Sequence, residues 1–168
     1  MARSFVGSFD QVVDGKGRVS IPAAFRRVIE QGDSERKDGE KPTVYIAYGE
    51  PGRAYLEGYS ADGLAELQAQ VNDLPYDFDG REAMEDLYFT NVMEAQLDDT
   101  GRIVLTQVLR DKIGLHDKAM FVAKGSRFEI WEPETYTVQR GNRTRDYLQA
   151  KGPNFNPRAL LAAAVRAK

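Results

Sequence analysis

The chain has 168 residues, enough for one ordinary domain or two small ones, and its 42% hydrophobic content can build a buried core. It has no cysteine and one histidine, His116, which excludes disulfide frameworks, thiol nucleophiles, zinc knuckles and histidine-rich metal sites. The formal net charge of −3 argues against a nucleic-acid binder until its distribution is read: five basic and two acidic side chains over residues 1–27, seven and one over 140–168, one and twelve over 57–99.

No apolar run approaches the roughly 20 residues of a membrane-spanning helix, and residues 1–7 lack a signal-peptide core, so a cytoplasmic protein is expected. The acidic block at 57–99 reads as a solvated face. A phosphate backbone responds to charge within about 8 to 10 Å, so an acidic segment pointing elsewhere does not prevent binding.

In chain order, residues 9–26 read as strand, tight turn, strand and helix. Asp14 can accept backbone amides just ahead of it, and Gly17 supplies a positive φ, so the segment is expected to be a rigid hairpin. Pro22 suits a first helical turn, and Phe25, Val28 and Ile29 form an apolar stripe. Residues 33–42 are polar and read as an exposed loop; residues 43–49 and 54–56 read as strands, with Arg53 before the second. Tyr45, Tyr48, Tyr55 and Tyr59 recur at strand spacing, which suits a core more than an interface. Ser60 can cap a helix with Leu64, Leu67 and Val71 on one face, and the turn at 75–80 breaks it before a second helix near 81–89.

Residues 93–110 repeat residues 9–26 without a gap, at an offset of 84. Asp14/Asp98, Gly17/Gly101, Arg18/Arg102 and Arg26/Arg110 are identical, and Val19/Ile103, Ile21/Leu105 and Phe25/Leu109 stay apolar. Thr106 can cap the second helix and Gly114 can end it. Strands at 119–125 and 128–131 follow, with Arg127 placed as Arg53 is, and Pro133 can open another helix. Each unit of about 45 residues is too small to bury a good core alone, so the two should pack together. Residues 156–166 read as a helix that packs against the rest, with contact to a partner or to DNA phosphates as the alternative.

An arginine on a rigid turn can donate two parallel hydrogen bonds to guanine O6 and N7, discriminating by about 1 to 3 kcal/mol. Lys16, Arg26 and Arg27 could neutralise nearby phosphates. Equally, Asp14 and Arg18 could pair only to hold the turn. Acid–base catalysis by Asp98 beside Asp99, or Asp77 near Asp79, lacks any accompanying phosphate loop, nucleophile elbow or metal-ligand pattern, so an enzyme is not expected and no metal or cofactor is called for. A module that oligomerises through its strands without reading DNA is the other rival.

The segment from Asp14 to Arg26, its echo from Asp98 to Arg110, and Arg127-Phe-Glu-Ile-Trp131 closely resemble the MraZ family of transcriptional regulators, over nearly the whole chain. The resemblance implies an α+β fold of two tandem AbrB-like swapped-hairpin β units, packed as a pseudo-two-fold β core with flanking helices. It divides the chain into a first unit at 8–55, an acidic helical connector at 56–90, a second unit at 91–134 and a helical tail at 135–168. It implies a ring-shaped homo-oligomer, nucleoid-associated, that binds short guanine-containing direct repeats in double-stranded DNA and represses its own division and cell-wall operon. The DNA-binding residues are then Asp14, Lys16, Arg18, Arg26 and Arg27 in the first copy and Asp98, Arg102 and Arg110 in the second. The copies are unequal: Lys16 and Pro22 are replaced by Thr100 and Thr106, and Asp99 and Asp111 are added, so the first turn is expected to dominate DNA contact.

Overall fold

The computed structural model describes residues 3–167 and divides into two compact units, Met1–Pro133 and Glu134–Lys168. The first is an α+β unit built on a six-stranded antiparallel sheet and a separate two-stranded ribbon.

Each copy of the repeat supplies two strands to the sheet as an antiparallel pair. In the first copy these are β3 (Thr43–Ala47) and β4 (Tyr55–Ser60); in the second they are β7 (Lys118–Ala123) and β8 (Phe128–Trp131). β4 and β8 pair with each other at the centre of the sheet. The edges are exchanged between copies. β1 (Ser8–Val12) pairs with β7 of the second copy, and β5 (Val92–Gln96) pairs with β3 of the first. The order is therefore β1-β7-β8-β4-β3-β5. The same 84-residue offset separates β1 from β5, and β2 (Arg18–Ser20) from β6 (Arg102–Val104).

The expected hairpin is altered by this exchange. After each turn the flanking strands part: Val13 and Val19 share one bridge, then β1 enters the sheet and β2 pairs with β6. Alternation in the sequence records which face a strand buries and is silent on which strand it pairs with.

The helices follow from their stripes. α1 (Ala23–Gln31) buries Phe25, Val28 and Ile29, and α2 (Ala61–Asn72) buries Leu64 and Val71 after a cap in which Gly63 N–H donates to Ser60 Oγ at 3.1 Å. α3 (Arg81–Glu85) runs into a π-helical turn over Asp86–Thr90, and α4 (Gln107–Lys112) begins at Thr106, whose hydroxyl accepts Leu109 N–H at 3.4 Å. The core gathers side chains from both copies around Phe25, whose ring lies 5.3 Å from Phe5 and 5.2 Å from Phe128. Of the four tyrosines expected in the core, only Tyr59 is buried; Tyr45 and Tyr48 are partly buried against the apolar clusters, and Tyr55 stacks on Trp131 at 4.6 Å.

The acidic block is not uniformly a solvated face. Glu57 is 4% exposed and pairs with Arg127 at 2.7 Å and Arg53 at 3.1 Å. Its cross-strand neighbour Glu129 is fully buried and accepts the Trp131 indole N–H at 2.9 Å. Burial, with the Glu57 carboxylate beside it, pushes the Tyr59 hydroxyl well above its usual range.

The second unit holds α5 (Pro133–Arg140), α6 (Arg143–Ala150) and α7 (Ala159–Arg166). None of the three contains a buried residue among those described, and Leu161 and Val165 are each 71% exposed. No helix among the described residues is long and apolar enough to cross a membrane.

Candidate nucleic-acid interface

Asp14 organises the first turn. Its Oδ1 accepts the amides of Lys16 and Arg18, both at 2.9 Å, and its Oδ2 accepts Arg18 Nε at 2.6 Å. Gly17, at φ +82°, donates to Asp14 O at 3.0 Å to close the turn. Asp98 does the same work in the second turn. It accepts the Thr100 and Arg102 amides at 2.9 Å and Arg102 Nε at 3.2 Å, with the Thr100 hydroxyl added at 2.8 Å. The Arg18 amide, then the Arg18 side chain and the Lys16 amide, hold the Asp14 carboxyl down to about 2 against a cost of desolvation; Asp98 is held well below the usual carboxylate range in the same way.

The geometry meets the reading in which the aspartate and arginine pair to hold the turn. The pair does hold the turn, and it does so through Nε alone. No partner lies on the two terminal nitrogens of Arg18 or Arg102 among the described residues. Five donors on a rigid fork allow one edge to be tethered while the end stays available.

The two arginines belong to one surface. In the β2–β6 ribbon Arg18 faces Val104, Val19 faces Ile103 and Ser20 faces Arg102. Val19 and Ile103 turn inward and are 0% and 2% exposed, which puts Arg18, Ser20, Arg102 and Val104 together on the outer face. Arg18 and Arg102 are diagonal neighbours there, with a backbone separation of about 7 to 8 Å.

The helix arginines cross between copies. Arg26 lies against Gly101, its Nη1 donating to Thr100 O at 3.4 Å, and Arg110 lies against Gly17, its Nε donating to Leu105 O at 3.0 Å. Backbone bonds reinforce the crossing, from Ile21 N–H to Gly101 O at 2.9 Å and from Leu105 N–H to Gly17 O at 2.8 Å. Both arginines are half-buried, whereas Lys16 and Arg27 are exposed.

Residues outside the motif also reach the site. Lys41, at the end of the polar 33–42 loop, forms an ion pair with Asp99 and so offsets the extra acid of the second turn. No sequence signal marks this, since the loop lies far from residues 98–110 in the chain. The carboxylates weighed for acid–base chemistry are placed otherwise: Asp98 is engaged by the turn, Asp99 by Lys41, and Asp77 and Asp79 are exposed beyond α2. His116 is exposed after α4.

The fold and site define a class: a duplicated α+β protein whose two aspartate-braced, arginine-bearing turns flank one exposed ribbon. The comparisons agree with it. Residues 88–149, which include the second turn, match the family model "MraZ protein, putative antitoxin-like". A transcriptional regulator MraZ of Ruegeria pomeroyi is 38% identical over 164 residues, 98% of each chain, and one from a second Ruegeria species matches to the same extent. A third, from Rhodospirillum rubrum, is 31% identical over 145 residues, 85% of this chain and 88% of its own. This chain belongs to the MraZ family.

Proposed function

We propose that this chain is a sequence-specific, non-enzymatic DNA-binding transcriptional regulator that presents the outer face of the β2–β6 ribbon to duplex DNA. The observation that carries this reading is the placement of Arg18 and Arg102 on one exposed face, each tethered by Nε and open at both terminal nitrogens. A two-stranded ribbon fits the major groove, and the arginine end suits guanine O6 and N7. Lys16 and Arg27 face phosphates, Asp14 and Asp98 set the angle of the reading arginines, and Arg26 and Arg110 brace the opposite turns from beside the contact surface. The names of the relatives, transcriptional regulators, support the assignment.

In this reading each repeat unit is an AbrB-like swapped hairpin, supported by the exchange of β1 and β5 between copies. The DNA-binding units are the 8–55 and 91–134 segments, the first extended to Ser60 so that it keeps β4, joined by the rest of the 56–90 connector and followed by the 135–168 tail. A ring-shaped homo-oligomer associated with the nucleoid would place many such ribbons on short direct repeats and repress its own division and cell-wall operon.

Titration on guanine-containing direct-repeat DNA and on scrambled DNA, each at two salt concentrations, tests the proposal. Repeat-preferring, salt-weakened binding is expected; no binding to either duplex at low salt would overturn it.

A further inference from the structure

The chemistry of the C-terminal unit is unlike that of the rest of the chain. Residues 134–168 carry seven basic and two acidic side chains, a balance of +5, whereas residues 1–133 carry sixteen and twenty-four, a balance of −8. Its helices bury no described residue, so these charges do not decorate a packed core.

Four cations dominate its middle: Arg143, Arg145, Lys151 and Arg158, all exposed. Only Arg145 has a carboxylate within ion-pair distance among the described residues, Asp146 at 3.6 Å, and both side chains are more than half exposed, where such a pair contributes little. Arg143 and Tyr147 stand four residues apart on one face of α6, Lys151 follows at the same spacing as its C-cap, and the Lys151 ammonium lies 5.3 Å above the Tyr147 ring. Along α6 that face extends about 12 Å, while duplex DNA presents a phosphate charge about every 1.7 Å of its axis. Gly152, at φ +98°, turns the chain toward Arg158, whose amide donates to Asn156 Oδ1 at 3.0 Å.

We propose that this unit is a cationic arm that binds the phosphate backbone of duplex DNA through Arg143, Arg145, Lys151 and Arg158, in addition to the contacts of the base-reading ribbon. It rests on the DNA-binding reading above. Another copy of this chain, through its acidic block, is the rival occupant; part of that block is already engaged, Glu57 by Arg53 and Arg127, Asp62 by Ser34, Glu85 by Arg81 and Asp99 by Lys41, and the test below separates the two. Arginine predominates in the arm, and its planar fork matches phosphate oxygens.

The test uses the full chain with R143A/R145A/K151A/R158A, compared with the unsubstituted protein on direct-repeat and scrambled duplexes between about 50 and 200 mM salt. Affinity should fall by the same factor on both duplexes, and the slope of log K against log salt should flatten by about 2 to 4, at about 0.9 for each phosphate no longer neutralised. A charge-retaining variant, R143K/R145K/R158K, should keep the slope. Intact binding with an unchanged slope would overturn the arm while leaving the ribbon reading in place. A change in association state without a change in slope would also overturn it, making an acidic protein surface the ligand. An equal loss in the lysine variant would assign the effect to damage of the helices and overturn it too. If the unsubstituted chain bound neither duplex at low salt, the arm and the ribbon reading would fall together.

Discussion

Arg26, on the helix of the first copy, lies against Gly101 in the turn of the second, and Arg110 lies against Gly17 in return. Each turn is thus shaped partly by a side chain from the other copy. A methyl group on Gly17 would overlap the backbone oxygen of Leu105, whereas one on Gly101 would meet mainly the flexible Arg26 side chain. Both glycines also hold positive φ, +82° and +77°. Gly17→Ala should therefore destabilise the protein by about 2 to 3 kcal/mol and Gly101→Ala by about 1 to 2. Urea denaturation of the two variants checks the ranking; equal losses would mean that the Leu105 carbonyl yields as readily as a side chain.

Arg18→Ala should lower affinity for repeat DNA more than Arg102→Ala does. Lys16, Arg18, Arg26 and Arg27 against Asp14 give the first copy a local balance of +3, while Arg102 and Arg110 against Asp98, Asp99 and Asp111 give the second −1, with Lys41 restoring part of the difference. Removal of one bidentate hydrogen-bonded pair corresponds to about 1 to 3 kcal/mol, or about 5- to 150-fold in Kd. Competitive titration of folded variants measures it, and equal losses would remove the asymmetry.

The turns should withstand acid. A depressed carboxyl pKa stabilises the native turn fully above the ordinary value of 3.8, and the contribution is lost as pH falls toward about 2, the value for Asp14. NMR titration of the Asp14 carboxyl and of the Lys16 and Arg18 amides should show no transition between about pH 7 and 5 and a midpoint near 2. A midpoint at 3.8 would mean that the amides do not hold the carboxylate.

Glu57→Ala should cost about 1 to 3 kcal/mol, because it removes the carboxylate shared by Arg53, whose side chain is 8% exposed, and the half-buried Arg127, although Arg53 keeps Glu50 at 2.8 Å and Arg127 keeps Glu129 at 3.4 Å. Thermal and urea unfolding measure this. A loss below about 1 kcal/mol would show that water replaces the carboxylate without penalty.

The local parts of this fold were legible because local chemistry determines them. Asp14 and Gly17 announce the turn, Phe25, Val28 and Ile29 the buried stripe, and Ser60 and Thr106 the helix starts. Long-range choices were not. Nothing in the alternation of residues 8–12 tells β1 to pair with β7 instead of β2, and nothing in Glu57 or Glu129 distinguishes a buried ion-paired acid from a solvated one. The arginines of the two turns, Arg18 and Arg102, were visible as a repeat, but their common ribbon, the crossing of Arg26 and Arg110 and the reach of Lys41 depend on tertiary packing. In the tail, α6 gave no apolar stripe to find, and the apolar Leu161 and Val165 of α7 are exposed.

The exchange of β1 and β5 has a consequence for divergence. Two identical chains trading edge strands would be held to strict equality, since any change in one turn would appear in both. Joining the copies in one polypeptide releases that constraint: Lys16 and Pro22 can stay on one side while Thr100, Asp99 and Thr106 accumulate on the other, within a sheet that neither copy can complete alone. Such a molecule has a polarity that a symmetric dimer lacks, and under the proposed function that directional surface would match DNA sites repeated head to tail in place of palindromes.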